Sequence, residues 1–150
     1  MNVTTGKQEN FSDAMKDLID LEQDTKAFYE QAISKIENYD YKTKLNEFKE
    51  DHAKHIQQLS ELLNKKEQTS IMGSVIRPLI DTIKLEFASL IGDRAKLSSI
   101  LNNEIDINKA YERLNARHDR WEDAKELLKE ALQDEKKHKD WLEKTIQSFS

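Results

Sequence analysis

Glu135 and His138 stand three residues apart in the run Asp134-Glu135-Lys136-Lys137-His138. On an α-helix that spacing sets a carboxylate and an imidazole side by side on one face. With the flanking stripe, Ala124, Leu128, Ala131, Leu142, Thr145 and Phe149, they continue an advance in steps of three and four, so Glu135 and His138 share the face that a bundle buries. Three more stripes are interrupted in the same way, by Glu22, by His52 with His55, and by Glu104. An ionised group left alone in a bundle core destabilises it by several kcal/mol, so such groups are paired, protonated or bound to metal. Three glutamates and three histidines form a donor set suited to hard or borderline divalent ions, with oxygen to bridge and neutralise and imidazole nitrogen to complete each shell. The alternative is a metal-free polar network in which Glu–His pairs join the helices.

The elements that must position these residues follow from the same periodicity. Residues 1–11 read as a flexible N-terminal arm, and residues 12–150 as one domain. Ser12 is the expected N-cap of a first helix carrying Met15, Leu18, Glu22, Thr25, Tyr29, Ala32 and Ile36 inward, with Phe11 just outside it. A turn near Asn38-Tyr39-Asp40 leads to a second, with Leu45, Phe48, His52, His55, Leu59 and Leu62 inward. Asp51, just ahead of His52, is placed to add a carboxylate or to orient His55.

A shorter amphipathic segment over 74–90 bears Ile76, Leu79, Ile80, Ile83 and Phe87 on one face and tolerates Pro78 in its first turns. It is expected to cover the core as the chain crosses the bundle, with an interfacial or oligomer-forming face as the alternative. Gly92-Asp93 opens a third long helix with Leu97, Leu101, Glu104, Ile107 or Asn108, Tyr111 and Leu114 inward. Asp119 and Glu122 have the spacing of a capping box for the fourth. At about 1.5 Å per residue the six polar positions fall within one or two turns of the same depth.

The halves of the chain repeat. Glu22 precedes Tyr29 by seven residues and Glu104 precedes Tyr111 by seven, an offset of 104 − 22 = 82, while His55 and His138 differ by 138 − 55 = 83. Two helical hairpins of one design, joined by a crossover, make an all-α four-helix bundle.

This constellation resembles the ferritin-like superfamily, in particular its rubrerythrin-type members. There, one Glu from each of two helices and a Glu-x-x-His from each of the others hold a di-iron or di-manganese centre. Glu104 with Glu135-x-x-His138 matches one half-site; Glu22 with His55 matches the other, except that His52 stands where a Glu belongs. The resemblance implies Glu22, His52, His55, Glu104, Glu135 and His138 as metal ligands, with Tyr29, Asp51 and Tyr111 behind them. It implies iron, most naturally Fe–Fe, with Mn or Zn as alternatives, and ferroxidase- or peroxidase-type oxidoreductase chemistry for iron handling or for dioxygen and peroxide. The single carboxylate lost at His52 favours Zn(II), Mn(II) or a mononuclear site over a diferric one. Two other readings stand beside it: an inactive ferritin-like bundle with a structural or stress-related interaction role, and a quinone-directed oxygenase similar to the demethoxyubiquinone hydroxylases.

Composition narrows the partners. With three glycines and one proline, all outside the four long periodic segments, helices are unobstructed. A net charge of −5 and the acidic residues around each basic run argue against nucleic acid. Arg77, Asp81, Lys84 and Glu86 rule out a membrane span in the one apolar segment. The absence of cysteine excludes a rubredoxin-like module and thiol chemistry and suits a reducing cytoplasm, so an external electron donor is required for redox turnover. Metal ions are the expected partners, a homodimer the expected assembly if there is one. His118, beside a helix boundary, reads as a surface or capping residue.

Overall fold

The computed structural model describes residues 3–67 and 90–149, so most of the segment at 74–90 lies outside the described residues. Among them are four long helices and no strand: α1 (Phe11–Lys35), α2 (Tyr39–Glu67), α3 (Asp93–Ala116) and α4 (Lys125–Gln147), the last preceded by a short 3-10 turn, Glu122–Ala124. α1 packs most closely on α2 and α3 on α4, with further contacts between α1 and α3 and between α2 and α4.

Local chemistry sets the helix ends. α1 is capped by Asn10, two residues ahead of the expected cap Ser12; its side-chain oxygen accepts from the Asp13 N–H at 2.8 Å. Ser12 is inside the helix, and its hydroxyl instead donates to Glu67 at the end of α2. Asn38 caps α2 through the Tyr41 N–H. The capping box expected at Asp119 and Glu122 does not form, because the Asp119 carboxylate is taken by the Arg117 guanidinium at 2.8 Å and the chain makes the 3-10 turn before α4 begins.

The directions of the helices follow from their end contacts. Glu67 meets Ser12, so α2 returns to the start of α1. Asp93 accepts from the backbone N–H of Glu37 and Asn38, just past the end of α1, while Arg113 near the end of α3 donates to the carbonyls of Val3 and Thr5. α3 is therefore antiparallel to α1 and runs in the same direction as α2.

The segment ahead of α1 is tied to α3. Arg117 adds bonds to the carbonyls of Gly6 and Gln8, and the buried Thr5 hydroxyl donates to Asp17. Gly6 is required there: its φ is +99°, and a Cβ would stand 2.4 Å from the Cβ of Arg113. Gly6→Ala is expected to cost about 1–3 kcal/mol, read as a lowered urea midpoint. An unchanged midpoint would mean that this segment contributes nothing to stability.

The apolar core is divided. One cluster joins Phe11, Met15, Leu18, Leu59, Leu63, Tyr111 and Leu128; the other joins Phe28, Ile36, Leu45, Phe48, Leu97, Ile100 and Leu142. Small register shifts distinguish these from the sequence stripes: Leu63 and Ile100 are fully buried, whereas Leu62 and Leu101 sit at the cluster margins. Between the clusters the interior is polar. No helix among the described residues is long and apolar enough to cross a membrane.

Candidate metal centre

Every helix sends charge into this middle band. Glu22 comes from α1, His52 and His55 from α2, Glu104 from α3, and Glu135 with His138 from α4; all six are at most 1% exposed. They form two overlapping four-donor groups, Glu22–His52–His55–Glu135 and His52–Glu104–Glu135–His138, whose ligand atoms lie within 4.8 Å of one another. His52 and Glu135 belong to both, so the predicted residues do meet at one depth.

His52 occupies the centre. Its Nδ1 lies 2.8 Å from Glu22 Oε1 and its Nε2 lies 3.0 Å from Glu104 Oε1, so the ring spans the two glutamates. The other Glu22 oxygen receives His55 Nδ1 at 2.8 Å and the Tyr111 hydroxyl at 3.0 Å. Tyr29 donates to Glu104 Oε1. The tyrosines thus cross over: each serves the glutamate of the other hairpin, which locks α1 against α3 at the level of the site.

The outer faces of the histidines are held by aspartates. His138 Nε2 is 2.8 Å from Asp51, and His55 Nε2 is 2.9 Å from Asp134. Asp51 therefore orients His138 on the opposite helix rather than His55 on its own, since its side chain leaves α2 towards α4. The sequence reading missed Asp134. The internal repeat carried the signal: Asp51 and Asp134 differ by 134 − 51 = 83, the offset that relates His55 to His138. A carboxylate on Nε2 fixes the ring so that Nδ1 faces inward, the arrangement that orients a ligating histidine. Asn108 adds a backbone tie, its amide donating to the carbonyls of Glu104 and Glu135. His118 is exposed on the surface, as expected.

The hydrogen bonds do not complete the band. Glu104 Oε2, both carboxyl oxygens of Glu135 and His138 Nδ1 are buried without a hydrogen-bond partner. Glu135 approaches His55 Nδ1 at 3.0 Å and His138 Nδ1 at 3.3 Å, yet neither approach has hydrogen-bond alignment. A buried polar atom left in this state costs about 1–3 kcal/mol. Four such donor atoms, on Glu104, Glu135 and His138, with one Glu135 oxygen turned to His138 and the other to His55 and His52, fit a divalent cation in this band. The Glu22/His55 side is already hydrogen-bonded.

The electrostatics divide in the same way. Burial alone would raise the Glu22 and Glu104 carboxyls, but the His52 charge outweighs it and lowers both, helped by His55 at Glu22 and His138 at Glu104. Glu135 gains no such partner, so burial and the charges of Glu104 and Glu22 push its carboxyl well up. For His52, burial pulls down, yet Glu22 and Glu104 prevail and carry it from 6.5 to about 10. Burial and their glutamate partners raise Tyr29 and Tyr111, which stay as neutral donors.

These shifts give the metal-free protein a defined pH profile. His52, raised on folding, contributes stability that is whole below pH 6.5 and lost as pH climbs towards about 10. Glu135, also raised, loses its contribution upward from 4.5, while Glu22 and Glu104, lowered, lose theirs as pH falls below 4.5. The urea midpoint is therefore expected to peak at about pH 5 and to decline from there to pH 10. A midpoint that rises across that alkaline range would contradict the charge assignment.

No curated protein and no solved structure matches the chain. A protein-family model described as a domain of unknown function (DUF2383) matches residues 10–111, which takes in α1, α2 and α3 as far as Tyr111 but not Glu135 or His138. That match spans just over two thirds of the sequence, and the chain belongs to the DUF2383 family.

Proposed function

We propose that this chain is a ferritin-like metal-binding protein whose pocket holds iron through Glu22, His52, His55, Glu104, Glu135 and His138. The observation that carries the reading is the set of four partnerless donor atoms on Glu104, Glu135 and His138, buried at the meeting point of all four helices. Bound there, iron would supply redox chemistry towards dioxygen or peroxide, or the site would take up iron itself; Mn and Zn suit the same donors. The chain's own part is to fix the ring faces through Asp51 and Asp134, to hold the glutamates through Tyr29 and Tyr111, and to exclude bulk water with the two apolar clusters. Electrons for any turnover come from an external donor, because the chain has no cysteine.

Residues 12–150 form, in this reading, one domain of two like hairpins, with residues 1–11 as its N-terminal arm. α2 finishes at the end of the bundle where α1 starts, and α3 begins at the other, so the connection acts as a crossover along the bundle. The chain works as a cytoplasmic protein.

One observation favours a second reading. His52, hydrogen-bonded to both Glu22 and Glu104, holds three helices together with no metal at all, as suits an inactive bundle with a structural or stress-related role. Metal analysis of protein prepared with Fe(II), combined with anomalous diffraction at the iron edge, separates the two. Metal density bounded by Glu22, His55, Glu104, Glu135 and His138 is the expected result. Protein free of metal after Fe(II) loading would leave the structural reading in place.

A further inference from the structure

The offset of 83 that relates α2 to α4 carries Asp51 onto Asp134, yet the surfaces outside these two aspartates differ. At Asp134, the Lys54 ammonium reaches the carboxylate at 3.1 Å and lies over His55. Its counterpart is Lys137, 54 + 83 = 137, and among the described residues Lys137 makes no such bridge to Asp51. Asp51 keeps 36% of its side chain exposed against 20% for Asp134. A cleft of about 460 Å³ opens there between α2 and α4, with Glu47, Phe48, Asp51, Lys137, His138 and Trp141 in its walls. Phe48 and Trp141 meet edge to face at 5.6 Å; the matching positions of the other half are Ala131 and Gln58. At the floor is His138, whose Nε2 lies 2.8 Å from Asp51 and whose Nδ1 is one of the four buried atoms without a partner. One imidazole ring therefore separates a carboxylate that solvent reaches from the unmet donors of the interior. α2 and α4 also pack less closely than the helices within either hairpin.

Resting on the metal-binding reading above, we infer that this cleft is the port through which a divalent cation enters the buried band, drawn in by Glu47 at the mouth and Asp51 at the floor, and that the matching place at Asp134 is shut by Lys54. A cation cannot shed its water into an apolar interior without a large desolvation cost, so entry requires protein oxygen to replace water in steps. The cleft supplies those steps in order: the Glu47 side chain is 59% exposed, Asp51 36%, and Glu104, Glu135 and His138 behind them are buried. Glu47 pairs with Lys44 at 3.2 Å, but an ion pair this exposed is weak and yields readily to a divalent ion. The other half offers no such gradient. Lys54 sets a positive charge over Asp134, which repels a cation, and both nitrogens of His55 beneath it are already hydrogen-bonded.

The test separates rate of entry from affinity, using the 150-residue chain and Co(II) alone in about 0.1 M salt. Stopped-flow visible absorption follows uptake, and metal per chain is measured after dialysis. Glu47→Lys is expected to slow uptake about fivefold and Lys137→Glu to speed it about fivefold, because the local concentration of a divalent ion follows the potential at the mouth. The control is Glu130→Lys, the same change one repeat on, 47 + 83 = 130. The contacts of His55 with Asp134 and of His138 with Asp51 place Glu130 level with Leu59, 59 − 47 = 12 residues along α2 from Glu47. That is roughly 18 Å, beyond the screening length of about 10 Å, so Glu130→Lys should stay within about twofold of the parent. All three positions are exposed, and every variant should end with the parent's Co(II) per chain. Uptake unmoved by the two cleft variants, equal slowing by Glu47→Lys and Glu130→Lys, or altered metal per chain would overturn the port while leaving a metal site standing. A parent that binds no Co(II) would overturn the metal-binding reading and the port with it.

Discussion

Replacing His52 with glutamate is expected to convert the pocket to two ions. His52→Glu removes the ring that ties Glu22 to Glu104 and puts a carboxylate where two metals can share it. The variant should bind about two Fe(II) per chain. Oxidation should be about tenfold faster than in the parent, equivalent to about 1.4 kcal/mol in the barrier, because added negative charge favours Fe(III) over Fe(II). Without metal the same change is harmful. Four carboxylates would face one another where three carboxylates and an imidazolium stood, and an unpaired buried charge costs on the order of 3 kcal/mol. Stability therefore depends on Fe(II) far more in the variant than in the parent. A variant that is destabilised and keeps its metal stoichiometry would instead favour the structural bundle, with His52 as a polar strut.

How much of this was readable beforehand depends on which physical signal carried it. The six inward positions were legible because burial on a helix recurs at steps of three and four, and a charged residue on such a stripe is conspicuous against Leu and Ala. Glu22, His52, His55, Glu104, Glu135 and His138 are all buried. Partner choice was not legible in the same way. Asp51 and Asp134 lie one residue off the stripe, and whether each reaches its own helix or its neighbour depends on how α2 and α4 face each other. The tyrosine crossover, Tyr29 to Glu104 and Tyr111 to Glu22, is likewise a property of helix adjacency.

Helix ends were the least legible. Asn10, Ser12 and Asp13 offer competing caps within one turn, and tertiary contact decided among them when Glu67 took the Ser12 hydroxyl. Arg117 did the same to Asp119. Both corrections have one cause: a side chain suited to capping is equally suited to a long-range bond, and local spacing cannot rank the two.

Glu135→Gln is expected to raise the melting temperature of the metal-free protein and to abolish most of the gain that metal brings. Glu135 is fully buried with neither oxygen hydrogen-bonded, and its carboxyl is pushed up by burial and by Glu104 and Glu22. Near pH 7 this group is a liability to the empty fold. Glutamine keeps the shape, carries no charge, and brings an amide that can donate to the free Glu104 oxygen. Relieving one such buried group stabilises by about 1–3 kcal/mol, or roughly 2–4 °C per kcal/mol in a domain of this size.

Metal binding reverses the comparison. At a free Fe(II) concentration 100 times its dissociation constant, the parent gains about 2.7 kcal/mol, roughly 5–11 °C by the same conversion. Loss of the central anionic donor should reduce that gain to less than half in Glu135→Gln. Opposite signs in the two states are what a residue retained for a ligand at the expense of the empty fold produces. Calorimetry of both proteins with and without Fe(II) reads all four values. Were Glu135→Gln to melt lower than the parent without metal and shift equally with it, Glu135 would belong to a network that holds the helices together, and the case for a metal at Glu104, Glu135 and His138 would fail.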